Sequence, residues 1–398
     1  MNSTSRRIAV LGSTGSIGIS SLSVITHLGE PYHAAALSAH RQGDALLAQV
    51  RLHRPSAVAI TDAQTHAAFA ARVRALGAEC YCGNEGVVEM VRRDDIDIVL
   101  AAIVGSACLP AVLAAVETHK TLALANKEAL VVAGALLIPL ARKNGVPILP
   151  VDSEHSAIFQ AMRCGRLGEV KRVILTASGG PFRCATREQI ENATLADALN
   201  HPTWRMGNKI SIDSATMFNK GLELIEACWL FDVPPEKVEI VIHPESVVHS
   251  MVEFVDGSVI AQLSPPDMRT PIQYALTYPD RLDGCSRKLD LLKAFSLSFE
   301  PPDATRFPAL RVAYEVAKRG QTYGAVMNGA NEAAVAAFAQ GRIIFGQIAQ
   351  VVERTIEGHR PVSSPNLGDL CEADRWARAK ADEVMAQGCR RPATLTKI

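Results

Sequence analysis

The chain carries no surplus of charge: Lys plus Arg number 41, Asp plus Glu also number 41, and the pI is near 7.2. Without a basic or acidic excess, neither nucleic acid nor an acidic membrane surface is expected as its main partner. A cysteine framework is missing too. Nine cysteines are scattered, and the one close pair, Cys80-Tyr81-Cys82, has the wrong spacing for a zinc knuckle. An odd, dispersed set suits reduced thiols in a cytoplasmic protein. No apolar run reaches membrane-spanning length, and no long apolar h-region follows the polar, basic lead-in Met1–Arg7. Repeats and low-complexity segments are absent. A soluble, cytoplasmic protein is therefore expected. What is present is an ordinary globular composition, 48% hydrophobic and 21% charged, in 398 residues. That length is too great for one core, so two or three domains are expected.

The first third alternates strands and helices. Ile8–Leu11 is a short apolar strand, followed at once by Gly12-Ser13-Thr14-Gly15-Ser16-Ile17-Gly18 and a helical run over Ile17–Leu28. Strand, glycine turn and helix together let backbone N–H groups approach a pyrophosphate. The spacing is GxxGxxG rather than GxGxxG, and a tight turn without a ligand stays open. The second strand, Tyr32–Leu37, lacks the exit acid that would hold an NAD ribose. Its exit reads Ser38-Ala39-His40-Arg41-Gln42, where a guanidinium suits the 2′-phosphate of NADP; a solvated basic loop is the bland alternative. Further strands fall at Ala57–Ile60, Ile96–Ala101, Lys120–Ala125 and Val146–Leu149, with helices at Ala63–Leu76 and Leu109–Thr118. Such apolar strands predict a parallel sheet buried on both faces. Asn126-Lys127-Glu128 follows one of them, where a lysine could stabilise charge on a substrate oxygen or be a surface cation.

At the exit of Val146–Leu149 stand Asp152-Ser153-Glu154-His155. Two acids at a strand end suggest metal or catalytic duty. An N-cap on a helix over Ser156–Arg163 is the competing reading. Val173–Ala177 predicts another strand, ending in Ser178-Gly179-Gly180, whose amides and hydroxyl suit an anion or a plain turn. Residues Arg183–Gly207 show weak periodicity. Within them His201-Pro202-Thr203-Trp204-Arg205-Met206-Gly207 reads as a mobile lid or as a loop packed on its own domain. If the chain is helical from about Thr216, Asn219 and Glu223 share a face beside Lys220, with Ser214 at a cap or phosphate position. Glu223 could then join Asp152 and Glu154 in a hard-oxygen site for Mg²⁺ or Mn²⁺. His155 alone argues for zinc. Val238–Ile242, Val247–Phe254 and Ser258–Leu263, with a hairpin turn at Asp256-Gly257, predict an open antiparallel or mixed sheet. His243 reads as structural.

Taken together, LGSTGSIG (11–18), ANKE (125–128), VDSEHSAIFQ (151–160), SGGPF (178–182), HPTWRMG (201–207), SATMFNKGLELIEA (214–227), IHPESVVHSMVEF (242–254) and NGANEAAVAAF (328–338) resemble the 1-deoxy-D-xylulose 5-phosphate reductoisomerase family. These are NADP-dependent enzymes of the non-mevalonate isoprenoid pathway. The blocks run in family order over nearly the whole chain. The resemblance implies that Asp152, Glu154 and Glu223 bind the divalent metal. It implies that Lys127, Ser153, Glu154, Ser178, His201, Ser214, Asn219 and Lys220 hold the sugar phosphate under a closing Trp204 loop. Thr14, Gly15, Ser16, Ile17, Asn126, Glu128 and Gly207 would hold NADPH, with Arg41 and Gln42 near its 2′-phosphate. The departures are His40 and Gln42, where relatives often carry Gly or Asn and then Asn. Lys127, Asp152, Glu154 and Glu223 are the expected catalytic set. The implied chemistry is skeletal rearrangement followed by hydride reduction, in a homodimer.

The expected organisation is α/β. Residues 1–150 form a Rossmann-like NADPH domain and 151–285 an α+β catalytic, metal-binding and dimerisation domain. A linker follows over 286–305 and a helical bundle over 306–398, with helices at Ala309–Arg319, Glu332–Gln340, Phe345–Ile356 and Glu372–Met385. Two alternatives compete: a metal-independent NADP-dependent dehydrogenase of a phosphorylated or semialdehyde metabolite, and a non-catalytic NADP-sensing module.

Overall fold

The computed structural model describes residues 5–293 and 295–388. Met1–Thr4 of the lead-in and the last ten residues of the C-terminal segment lie outside them. In chain order the elements are β1 (Arg6–Leu11), α1 (Ser16–Leu28), β2 (Tyr32–Ala39), α2 (Gly43–His53), β3 (Ala57–Ile60), α3 (Ala63–Arg74), β4 (Glu79–Cys82), α4 (Gly83–Val91), β5 (Ile98–Ala101), α5 (Leu109–Glu117), β6 (Thr121–Leu124), α6 (Lys127–Asn144), β7 (Ile148–Pro150) and α7 (Ser153–Ala161). Next come β8 (Val170–Ala177), α8 (Arg187–Glu191), α9 (Leu195–Leu199), α10 (Asn208–Thr216), α11 (Phe218–Phe231), β9 (Val238–Ile242), β10 (Val248–Phe254), β11 (Val259–Leu263), α12 (Arg269–Thr277), α13 (Pro308–Arg319), α14 (Tyr323–Ala339), α15 (Gln347–Glu357) and α16 (Leu367–Gly388). No helix among the described residues is long and apolar enough to cross a membrane.

The chain divides into two compact units of non-contiguous segments: 1–129 with 137–159 and 267–289, and 130–136 with 160–266 and 290–398. The first unit is built on a seven-stranded sheet ordered β4-β3-β2-β1-β5-β6-β7, every pairing parallel. The expected parallel sheet is there, and its apolar strands explain it: Ile8–Leu11 and Ala57–Ile60 are wholly buried, with helices on both faces. Pro150, which has no N–H to donate, sits on the edge strand β7, where a sheet tolerates it. Ile272, Ala275 and Leu276 of α12 join Leu22 and Ile25 of α1 in this unit's core. Sequence pattern gives no hint that α12 belongs here. The strand order reverses between β1 and β5, the switch point at which such sheets bind ligands.

The second unit contains a four-stranded sheet ordered β11-β10-β8-β9, mixed because β8 and β9 run parallel while β10 is antiparallel to both neighbours. The expected hairpin turn is present, with Gly257 at φ +87° between β10 and β11. The C-terminal helices pack with it, and α14 begins nine residues before the expected Glu332. Its Gly and Asn residues hide the helical period, but burial favours the helix. Two other boundaries differ. The helix expected from Ser156 begins at Ser153, and the chain is helical from Asn208, well before Thr216. Met217, at φ +65°, separates α10, which the sequence did not mark, from α11, the helix expected from about Thr216.

Candidate active site

In the first unit the glycine turn leaves β1 at the switch point. Gly12 has φ +81°, and a Cβ there would sit 2.8 Å from the Ala102 carbonyl oxygen just past β5. Gly18 is as constrained: its Cβ would lie 2.3 Å from the Gly12 oxygen and 2.5 Å from Ser13 Cα. These two glycines let turn and helix press together. Gly15 is different, because nothing lies closer than 3.4 Å to its Cβ position. The fold does not require glycine there, which leaves close approach of an outside group as its use. Gly15 also stands at the N-cap of α1 with no side-chain cap bond and no acid in the first turn. The N-terminal amides of Ser16 and Ile17, with the helix dipole, face outward as an anion-attracting end. Ser13 clamps the turn to β2 and α2: its hydroxyl lies 2.7 Å from Gln49 Oε1 of α2 and 3.1 Å from the Ser38 carbonyl of β2, with its single proton available to one or the other.

At the β2 exit His40, Arg41 and Gln42 are all exposed. His40 Nδ1 lies 2.8 Å from Thr61 Oγ1, and Arg41 Nε donates to Asp62 Oδ1 at 3.3 Å. Asp62 also caps α3 through Thr65, whose hydrogen bonds hold the carboxyl well below the ordinary range, at about 2. The guanidinium thus carries its charge just past the carboxyl end of the interior strand β2, with one nitrogen tied back.

Asn126, Lys127 and Glu128 are buried at the β6 exit. Asn126 caps α6 by accepting from the Ala129 amide at 2.8 Å, and its Nδ2 donates to the Ile103 and Gly105 carbonyls. Lys127 Nζ lies 2.5 Å from Asp152 Oδ2, with the two side chains 10% and 16% exposed. The angles are not those of a directed hydrogen bond, so the contact is ionic. Asp152 Oδ1 accepts the Ser153 amide at 3.0 Å, and its backbone carbonyl accepts from Ser156, which places Asp152 at the start of α7. The backbone of Asp152 begins the helix, as the cap reading expects, and its carboxylate faces Lys127. Ser153 Oγ donates to Glu154 Oε2 at 2.5 Å, and His155 behind them is fully buried.

In the second unit Gly179 and Gly180 take successive positive φ values, +82° and +65°, past Ser178 at the end of β8. A Cβ on Gly180 would lie 2.8 Å from the Ser214 carbonyl, so this turn lies directly against the last turn of α10. Ser178 Oγ is 3.0 Å from His201 Nε2 and accepts from the Gly180 amide. His201 Nδ1 accepts from the amides of Thr203 and Trp204 at 3.2 and 2.9 Å. Two N–H groups pointing at Nδ1 require the tautomer protonated at Nε2, which then donates to Ser178. Burial agrees, holding the imidazole below its ordinary value. The Trp204 ring lies 6.3 Å from that of His249. Sequence reading gave His249 no part in this loop. Gly207 is the exposed N-cap of α10, which has no side-chain cap bond.

On α11 the expected face is present. Asn219 Nδ2 donates to Glu223 Oε1 at 2.5 Å, and Lys220 donates to Glu223 Oε2. Glu223 is fully buried and Lys220 is 4% exposed. A carboxylate so deep in protein persists only with positive partners. His243, fully buried, receives the Val247 and Val248 amides at Nε2 and contacts the Ser298 carbonyl at Nδ1, a structural role as expected.

A doubly wound parallel sheet with a glycine turn at its switch point defines the dinucleotide-binding class of α/β proteins. Three family descriptions match the chain in order: 1-deoxy-D-xylulose 5-phosphate reductoisomerase over residues 8–134, its C-terminal domain over 148–231, and the DXP reductoisomerase C-terminal domain over 263–380. The chain belongs to the 1-deoxy-D-xylulose 5-phosphate reductoisomerase family. It is 49% identical to the enzyme of that name from Pelodictyon phaeoclathratiforme, over 96% of this chain and all of that one. The Geobacter sp. relative is 47% identical over the same shares. Among solved structures, the Zymomonas mobilis enzyme in complex with NADPH matches at TM-score 0.90 and 44% identity, covering 96% of this chain and all of that one. A reductoisomerase in complex with NADPH, fosmidomycin and magnesium matches at TM-score 0.90 and 40% identity, covering 96% and 98%.

Proposed function

We propose that this chain is an NADPH- and divalent-metal-dependent enzyme converting 1-deoxy-D-xylulose 5-phosphate to 2-C-methyl-D-erythritol 4-phosphate by skeletal rearrangement and hydride reduction. The observation that carries the reading is the full-length match to enzymes of that activity, with every quoted motif in order. The glycine turn would receive the NADPH pyrophosphate on the amides around Thr14, Gly15, Ser16 and Ile17. Arg41, beside Gln42, would select the 2′-phosphate, and Asn126, Glu128 and Gly207 would complete the cofactor site. Ser178, His201, Ser214, Asn219 and Lys220 would hold the substrate, several of them at its phosphate, and Trp204 would cover it.

The carboxylates Asp152, Glu154 and Glu223 are the proposed ligands of Mg²⁺ or Mn²⁺. Oxygen donors, Glu223 fully buried and Asp152 and Glu154 partly so, suit a hard cation, and no cysteine stands beside them in sequence. When bound, the metal would supply Lewis acidity toward the substrate's keto and hydroxyl oxygens. Lys127, held by Asp152, would present a fixed positive charge to an oxyanion without reorganising at the moment of reaction. The Ser153 hydroxyl, donated to Glu154, would orient that carboxylate and touch substrate. Remote binding at the phosphate would contribute to closing the Trp204 loop. A homodimer in the cytoplasm is part of the same proposal, as is the division into a cofactor domain (1–150), a catalytic domain (151–285), a linker (286–305) and a C-terminal helical domain (306–398).

The test is NADPH oxidation with 1-deoxy-D-xylulose 5-phosphate, with and without Mg²⁺ or Mn²⁺, and product identification by NMR. The expected outcome is metal-dependent turnover that fosmidomycin inhibits. Metal-independent oxidation of NADPH by a semialdehyde, with no reaction on the sugar phosphate, would favour the dehydrogenase reading. Cofactor binding without any turnover would favour the sensing module.

A further inference from the structure

The helix that carries Ser214 is tied to the C-terminal helices by a buried polar pair that the proposed chemistry does not use. Asp213, beside Ser214 on α10, is 1% exposed. Its Oδ1 accepts from Asn331 Nδ2 on α14 at 2.8 Å, and its Oδ2 faces Lys209 Nζ at 2.8 Å. Asn331 is fully buried. Its Oδ1 has no hydrogen-bond partner among the described residues, so the amide's orientation is set by the carboxylate it must donate to.

Helix stability does not account for this arrangement. Lys209 lies in the first turn of α10 with Asp213 four residues later, the weaker order for such a pair and the wrong end of the helix dipole for a lysine. Packing does not account for it either. An apolar pair of the same shape would avoid the orphaned amide oxygen. A directed bond between two buried side chains on different helices fixes a position instead. The position matters here because the Ser214 carbonyl abuts the Gly180 turn so closely that a Cβ there would stand at 2.8 Å. A small displacement of α10 would change the spacing between Ser214 and Ser178.

We propose that Asp213 and Asn331 are positioning residues that hold α10 in register, so that Ser214 and the Ser178 turn present a ready-made phosphate site. The inference rests on the reading that these serines meet the substrate phosphate. Further along the same helix, Asn328 donates to Glu332, which pairs with Arg378 of α16. Asn331 is thus the α10 end of a polar stripe anchored in the helical segment.

The test compares Asn331→Leu, Asn331→Ser and the swap Asp213→Asn with Asn331→Asp, which reverses donor and acceptor. In Asn331→Leu the KM for the sugar phosphate and the inhibition constant for inorganic phosphate should both rise about tenfold, with kcat and the NADPH KM within about twofold. Amide exchange over 208–216 should quicken about tenfold while α14 is unchanged. The swap should restore both readouts to within about threefold. Unchanged exchange over 208–216, or a uniform loss in all constants that merely follows the melting temperature, would overturn the proposal. Should Asn331→Leu not fold, Asn331→Ser and the swap carry the same comparison. Should the wild type turn over no sugar phosphate, the functional reading fails. The exchange data and direct titration with inorganic phosphate would still decide the role of the pair.

Discussion

Lys127 and Asp152 face each other at 2.5 Å with little access to water, and each costs more alone than the pair does together. Lys127→Met should lower stability by about 3 kcal/mol, because it leaves the Asp152 carboxylate desolvated and unopposed. Lys127→Met with Asp152→Asn should recover most of that loss, read by urea denaturation, without recovering turnover. Recovery of activity alongside stability would remove Lys127 from the chemistry. His201 gives the residue scale its pH dependence. Its folded value is lowered by burial, so the folded protein stays neutral where an unfolded histidine, with a value of roughly 6.5, takes up a proton. The stability it contributes is complete above about pH 6.5 and is lost as pH falls toward the lowered folded value. Protonating Nδ1 would also expel the amides of Thr203 and Trp204. Acidification should therefore loosen the Trp204 loop, visible as faster exchange at those two amides. An NMR titration placing His201 at or above the ordinary histidine value would contradict this.

Among the elements, β1, its turn and α1 allow the sharpest separation of fold from function. Ala is worth about 1 kcal/mol more than Gly inside a helix, so Gly18→Ala would stabilise on propensity alone. The new methyl would meet backbone atoms at 2.3 and 2.5 Å, which cannot rotate away. Overpacking of that kind costs about 1–3 kcal/mol or more, so the clash wins. Gly15→Ala has room and should cost under about 0.5 kcal/mol. The same methyl would obstruct a pyrophosphate lying on the turn, so NADPH affinity should fall at least about tenfold. Thermal melts and NADPH titrations on both variants check this. A Gly15→Ala protein that binds NADPH normally would leave the turn without its assigned ligand. The break at Met217 is another element-scale feature. A left-handed non-glycine residue costs about 1–2 kcal/mol. It persists because the Met217 side chain is 2% exposed and its break separates Ser214 on one helix from Asn219 and Lys220 on the next.

For the whole molecule, charge balance and metal binding set the expectations. A chain with equal acids and bases has no long-range field to draw in polyanions, which suits a small-molecule substrate. A cation that binds only the folded state stabilises it by about 2.7 kcal/mol at a hundred times its Kd. Mg²⁺ or Mn²⁺ should therefore raise the melting temperature of the wild type in a concentration-dependent way. Glu223→Gln should keep the fold while losing most of that increment together with metal-dependent activity. An equal Mg²⁺ shift in the variant would exclude Glu223 as a ligand.

Much of the fold was legible because its signals are local. Apolar runs of strand length, a glycine turn between strand and helix, and Asp256-Gly257 between alternating segments each depend on residues close in sequence. The family blocks are likewise linear text. Other features had no local signal. The strand Glu79–Cys82 is a half-exposed edge without alternation, and the 208–216 helix ends at a left-handed methionine that no periodicity marks. That α12 completes the core of the N-terminal sheet, that Lys127 meets Asp152, and that Asn331 meets Asp213 are long-range facts. By itself the sequence determined which local conformations were cheap and which chemical groups were on hand. Only the tertiary structure decided which charges were stripped of water and whom they faced, because desolvation and pairing depend on distance in space rather than along the chain.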